Sequence, residues 1–128
     1  MPKDTIDPSS FQSDILEFLS LLHKHGIEHL IIGGEAVIYY GYARLTGDID
    51  IYYRRTPANT KKLFGMLREF WQNKIPGISA ADELNEDGLI LQFGVPPHRI
   101  DLVNRIDGTS FDRAWPRRKK VLIKGAEA

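Results

Sequence analysis

Apolar residues recur at Phe11, Ile15, Phe18, Leu19 and Leu22, the three- and four-residue spacing of one helix face. Ser9 followed by Gln12 fits a capping box and Gly26 offers a stop, so an amphipathic helix is predicted over residues 11–25. From Ile27 to Ile32 the pattern changes to a β-branched and leucine-rich run of strand length. Its scarcity of polar alternation predicts a strand lying centrally in a sheet. Gly33-Gly34 then ends the strand, Glu35 to Tyr40 makes a short helical piece closed by Gly41, and Tyr42 to Gly47 forms a loop carrying Arg44 and Thr46. Over residues 48–53 carboxylates alternate with isoleucines, so a strand there turns Asp48 and Asp50 to one face and buries Ile49 and Ile51 on the other.

Thr56-Pro57 starts a second helix, with threonine as cap and proline in the first turn, and Leu63, Phe64, Leu67, Phe70 and Trp71 give it an apolar face over residues 57–72. Ser79 is placed to cap a short helix through Asn85. Leu89 to Phe93 and Arg99 to Val103 have strand composition, and Gly94-Val95-Pro96-Pro97 between them marks the turn of a hairpin. Ser110 starts a brief helix through Trp115 that Pro116 breaks, and Val121 to Ile123 forms a last strand. Helix, strand, helix, strand, helix, strand, strand predicts an α/β (α+β) domain with a mixed sheet flanked by helices. At 128 residues the chain suits a single domain over 11–128 behind a flexible leader at 1–10.

Composition removes several classes of function. Lys plus Arg and Asp plus Glu are each 17, so no global field draws the chain to nucleic acid or an anionic membrane. There is no cysteine, which excludes disulfides and thiolate metal sites and suits a reducing cytosol. Neither a targeting segment nor a membrane-length apolar run is present, and the expected location is cytoplasmic. The glycine fingerprints of dinucleotide-binding folds and P-loops are absent as well.

The candidate chemistry lies around the two glycines and the acidic strand. A strand running into Gly33-Gly34 and then a helix aims backbone N–H groups at an anion, and phosphate is the obvious guest. Asp48 and Asp50 on one face of a strand sit roughly 6 to 7 Å apart, a spacing that a divalent cation bridges. In Arg99-Ile100-Asp101-Leu102-Val103 the alternation turns Asp101 outward with Arg99. If this strand lies beside residues 48–53, three carboxylates converge and can hold two metals for in-line displacement at phosphorus. Plainer readings compete: a solvent-facing strand side for Asp48 and Asp50, a tight turn for Gly33-Gly34, and a surface pairing of Asp101 with Arg99 or Arg105. The four histidines lack metal-ligand spacing, Tyr52 and Tyr53 suit packing, and Arg117 to Lys120 suits a solvated face.

Three stretches together resemble a known family: Gly33-Gly34-Glu35-Ala36-Val37, Gly41 through Asp48-Ile49-Asp50, and Gly94-Val95-Pro96-Pro97-His98-Arg99-Ile100-Asp101-Leu102. A strand, two glycines, an Asp-x-Asp and a later strand aspartate look like the nucleotidyltransferase superfamily that includes DNA polymerase beta. The details resemble minimal nucleotidyltransferase-like proteins related to the AbiEii type of toxin, over residues 11–118. The resemblance implies a nucleotidyltransferase-like fold in which Asp48 and Asp50 bind Mg²⁺ or Mn²⁺ and Asp101 completes the site and helps activate the acceptor. Gly33 and Gly34 would meet the triphosphate of an NTP, with Arg44 and Thr46 adding phosphate contacts. The implied reaction moves an NMP from an NTP to a hydroxyl acceptor, an RNA such as a tRNA end or a protein side chain, and releases pyrophosphate. The implied setting is a bacterial toxin–antitoxin or defence module, with an antitoxin or other partner chain. Related proteins continue into a further C-terminal strand and helices, whereas this sequence stops at Ala128. That difference supports an alternative: a nucleotide-binding or interaction module that keeps the scaffold without transfer.

Overall fold

The computed structural model describes residues 11–39, 42–95, 98–117 and 122–123, with side chains over 14–32, 49–94 and 99–116. Helix α1 (Phe11–Lys24) buries Ile15, Phe18, Leu19 and Leu22, the face that the helical spacing anticipates. It stops at Gly26, whose φ of +65° favours glycine, and Ile27 N–H donates to Leu22 O at 3.1 Å. Helix α2 (Pro57–Phe70) begins as expected, with Pro57 in the first turn and the Thr56 hydroxyl accepting from Asn59 N–H at 3.3 Å. Its Leu63, Met66, Leu67 and Phe70 are buried beside α1, where the Phe18 and Phe70 rings meet edge-on at 5.0 Å.

Among the described residues five strands form one mixed sheet: β1 (His29–Tyr39), β2 (Tyr42–Tyr53), β3 (Ile90–Val95), β4 (His98–Val103) and β5 (Leu122–Ile123). Their order is β1-β2-β4-β3, with β5 pairing parallel to β2 at Tyr42 and Ala43. β1/β2 and β3/β4 are antiparallel, and β2/β4 is parallel. The parallel pair requires a long crossover, and α2 lies within it. The helical layer covers one sheet face, where Ile49, Ile51, Tyr53, Leu91, Phe93, Ile100 and Leu102 join Phe18, Leu67, Phe70 and Trp71 in a single core. The result is a small α+β domain, with the β3–β4 hairpin where the sequence placed it.

Two side chains fasten this layer to the sheet. Asn59 on α2 donates to Glu28 O and Arg54 O at 3.1 and 2.8 Å and accepts from Glu28 N–H at 2.8 Å, tying the start of β1 to the end of β2. Asn104, just past β4, donates to the Tyr53 hydroxyl and to Glu86 O and accepts from Gly88 N–H. Both are buried and satisfied, as a buried amide must be.

The region after Ile32 departs from the sequence reading. Gly33-Gly34 does not end the strand, and Glu35 to Tyr39 continues as β1 instead of forming a helix. Tyr40 lies outside the described residues. Val37, Ile38 and Tyr39 have the β-branched and aromatic composition that a pleated surface accepts. The predicted loop from Tyr42 to Gly47 is the first half of β2, paired with β1 from Tyr39↔Tyr42 to Glu35↔Thr46. The glycines sit at register shifts between Ile31/Gly33 and Gly33/Glu35. The first sets Ile32 as an extra residue on β1, and the second sets residues 47–49 of β2 against Gly34 alone. Nor is β1 central: among the described strands it lies at the edge, with Ile31 and Ile32 37% and 42% exposed.

Smaller corrections have local causes. The segment capped in expectation by Ser79 is a 3₁₀ turn over Ala81–Asn85, with the Glu83 carboxylate reaching back to accept from Ser79 N–H at 2.8 Å. β3 runs through Gly94, whose φ is +94°, to Val95, so the turn is shorter than predicted; Pro96 and Pro97 lie outside the described residues. Ser110 caps helix α3 (Phe111–Ala114) by accepting from Arg113 N–H, and the chain then continues as a 3₁₀ turn, Trp115–Arg117, through Pro116. The leader and the end beyond Ile123 lie outside the described residues.

Candidate functional site

The site is set by the register of β2 on β4. Ile49 lies opposite Ile100, Asp50 opposite Asp101 and Ile51 opposite Leu102. All four apolar members are fully buried on the helical side. Strand alternation therefore turns Asp50 and Asp101 to the other face as direct neighbours, about 4.8 Å apart at the backbone. Gly33 on β1 pairs with Asp50, and Gln92 on β3 pairs with Asp101. Gly33, Asp50, Asp101 and Gln92 thus form one row across four strands.

Exposure differs sharply along the row. Gln92 is exposed and Asp50 partly exposed, whereas Asp101 retains 7% of its surface. Arg99, two residues earlier on the same face, holds Asp101: its Nη2 donates to Oδ2 at 3.1 Å and its Nε lies 2.8 Å from Oδ1. The second approach is close in distance without the alignment of a hydrogen bond, so Oδ1 is a buried acceptor with no hydrogen-bond donor. Burial pushes the Asp101 carboxyl above its ordinary value, the Arg99 guanidinium opposes that rise, and the neighbouring Asp50 adds to it.

The same face is covered at its other end. Tyr52, two positions beyond Asp50, packs edge-on against Phe111 at 5.1 Å, and Phe111 stacks on Trp115 at 5.4 Å. The Arg54 guanidinium lies 4.5 Å over the Phe111 ring and hydrogen-bonds the carboxylates of Glu28 and Asp112. This cluster seats α3 against the sheet. Sequence reading assigned no such role to Arg54, Phe111 or Trp115; the Ser110 cap was the one local signal.

The structure brings together two of the three predicted carboxylates, Asp50 and Asp101. Asp48 lies on β2 two positions before Asp50, in the segment opposed to Gly34, and its side chain lies outside the described ones. The same holds for Arg44 and Thr46, whose backbones pair with Val37 and Glu35 on β1. Gly33 is at the row, but no helix follows Gly34, which removes the helix N-terminus from the expected phosphate geometry. Asp101 pairs with Arg99, and Arg105 turns instead to Asp87 at 3.6 Å. Gln92 went unnoticed, although a polar residue between Leu91 and Phe93 carries the alternation that exposes it.

Among the described residues there is no group of three or more His, Cys, Asp or Glu able to hold a metal. The described donors are a pair of carboxylates, one with a buried oxygen lacking a hydrogen-bond donor. Hard oxygen donors of this kind suit Mg²⁺ or Mn²⁺ and do not suit softer ions. His25 instead contacts Glu69 at 3.1 Å, and His29 Nδ1 donates to Ile27 O at 2.8 Å, so both serve local structure. No helix among the described residues is long and apolar enough to cross a membrane. Comparison of the chain with protein-family models, curated proteins and solved structures gives no match to any of them.

Proposed function

We propose that the chain is a nucleotidyltransferase-like protein that binds a nucleoside triphosphate with Mg²⁺ or Mn²⁺ and transfers the NMP to a hydroxyl acceptor. The observation that carries this reading is the side-by-side placement of Asp50 and Asp101, with Asp101 buried and its Oδ1 lacking a hydrogen-bond donor. Desolvating one of two adjacent carboxylates is costly for packing alone. The single Arg99 guanidinium offsets one of the two charges, and a divalent cation would offset both.

In this reading Asp50, Asp101 and Asp48 hold the metal, which when bound supplies Lewis acidity at phosphorus and charge neutralisation at the leaving pyrophosphate. Asp101 also orients the acceptor hydroxyl and receives its proton. Gly33, without a side chain beside Asp50, leaves room for the triphosphate to approach the backbone. Gly34, Arg44 and Thr46 contribute phosphate contacts. The acceptor is an RNA end or a protein hydroxyl, and an effector role in a toxin–antitoxin or defence module with an antitoxin partner follows from the family resemblance alone.

A second reading has its own support. The Arg99 guanidinium already contacts Asp101, as in a scaffold that keeps the fold and a nucleotide site without transfer. Incubation with each α-labelled NTP, Mg²⁺ or Mn²⁺, and either total tRNA or cell protein distinguishes the two. The transferase reading predicts label on one acceptor class that Asp50→Asn abolishes. NTP binding with no label on either class favours the silent module.

A further inference from the structure

Arg99 is held against the acidic pair. It shares a strand face with Asp101, faces both carboxylate oxygens through Nε and Nη2, and is 25% exposed at its side chain against 10% for its partner. Beside them stands Asp50. Without Arg99, two neighbouring carboxylates, one of them buried, would face each other with no positive charge from this pair. The guanidinium thus supplies in the metal-free protein part of the charge that a divalent cation supplies when bound.

The two cations are not additive at Asp101. They repel, and the guanidinium already hydrogen-bonds Oδ2 while its positive charge stands 2.8 Å from Oδ1, where a second cation would have to approach. Resting on the reading of Asp50 and Asp101 as a cation site, we infer that Arg99 is the resident counter-ion of that site, which a divalent cation must displace from Asp101 before it binds. The contact has two linked effects. It stabilises the metal-free fold, and by the same free energy it weakens the binding of metal alone. Arg99 is therefore a positioning residue, acting through Asp101 and not on substrate.

Mn²⁺ alone is the probe, titrated by electron paramagnetic resonance into the wild-type chain and into Arg99→Gln, Arg99→Lys and Asp101→Asn. Thermal melts are run in parallel in chelator and at saturating Mn²⁺. The expected result is about tenfold tighter Mn²⁺ binding in Arg99→Gln, equivalent to about 1.4 kcal/mol. Arg99→Gln should melt below wild type in chelator and regain most of that difference with Mn²⁺. Arg99→Lys, which keeps the charge and loses the fork, should fall between wild type and Arg99→Gln in both readouts. Equal or weaker Mn²⁺ binding in Arg99→Gln, or a melting deficit unchanged by Mn²⁺, overturns the inference. If wild type still binds Mn²⁺ and Asp101→Asn does not, the cation site survives that failure. No Mn²⁺ binding by wild type or by Arg99→Gln overturns both.

Discussion

Asp50 on β2 and Asp101 on β4 are direct partners in a parallel strand pair, flanked on the opposite face by Ile49, Ile51, Ile100 and Leu102. The apolar residues fix which way the carboxylates point, because slipping either strand by one position would bury its carboxylate and expose its apolar residues. The acidic pair is therefore enforced by the core beneath it.

The Asp50 charge opposes ionisation of its buried neighbour Asp101. Asp50→Asn removes that charge at a partly exposed position and is expected to stabilise the chelated protein by about 0.5 to 1 kcal/mol at low salt. The gain should shrink as salt screens the pair. Urea titrations of both chains at low and high ionic strength measure it. A loss of stability at low salt would mean that Asp50 has a favourable partner outweighing Asp101.

Asn104 supports the site from below. It joins the end of β4 to Tyr53, Glu86 and Gly88, and the Tyr53 hydroxyl in turn donates to Leu84 O at 2.8 Å. Asn104→Ala strands several buried polar groups and should cost about 2 to 3 kcal/mol in urea unfolding. Burial pushes the Tyr53 hydroxyl up to about 12 from 10.0. A folded pKa above the unfolded one gives stability fully present below pH 10 and lost as pH rises toward 12. Tyr53→Phe should flatten that alkaline limb, which a series of urea midpoints would read directly.

Much of this frame was legible locally. The α1 and α2 faces, the Thr56-Pro57 start and the β3–β4 hairpin all rest on spacing and capping within a few residues. What failed was non-local. Gly33-Gly34 has the composition of a stop, but paired against β2 it absorbs two register shifts while the strand continues. The apolar run at Ile31 and Ile32 suggested a central strand, yet the order of the described strands puts it at the edge. At the site, alternation gave the outward direction of Asp50 and Asp101, whereas their adjacency depended on β4 lying beside β2. The Arg54 and Asn104 contacts join residues far apart in sequence that no motif connects.

On the acid side, His29 is the informative titrating group. Burial lowers its pKa from 6.5, the hydrogen bond to Ile27 O works against that, and nearby His23 lowers it further. The fold thus favours the neutral ring. Its contribution is fully present above pH 6.5 and is lost as pH falls below that value through the folded pKa. His29→Gln should give a flatter stability profile just below pH 6.5, measured as urea midpoints across that range. An unchanged slope would assign the acid sensitivity elsewhere.

The central claim is that Asp50 and Asp101 form a metal-dependent nucleotide site. Calorimetric titration of each of the four NTPs, with Mg²⁺ and with chelator, into wild type and an Asp50→Asn, Asp101→Asn double variant tests it most directly. The account predicts that at least one NTP binds wild type only with Mg²⁺ and that the folded double variant loses this binding. NTP binding that is indifferent to Mg²⁺ and retained in the double variant, or no binding to wild type under either condition, would contradict it.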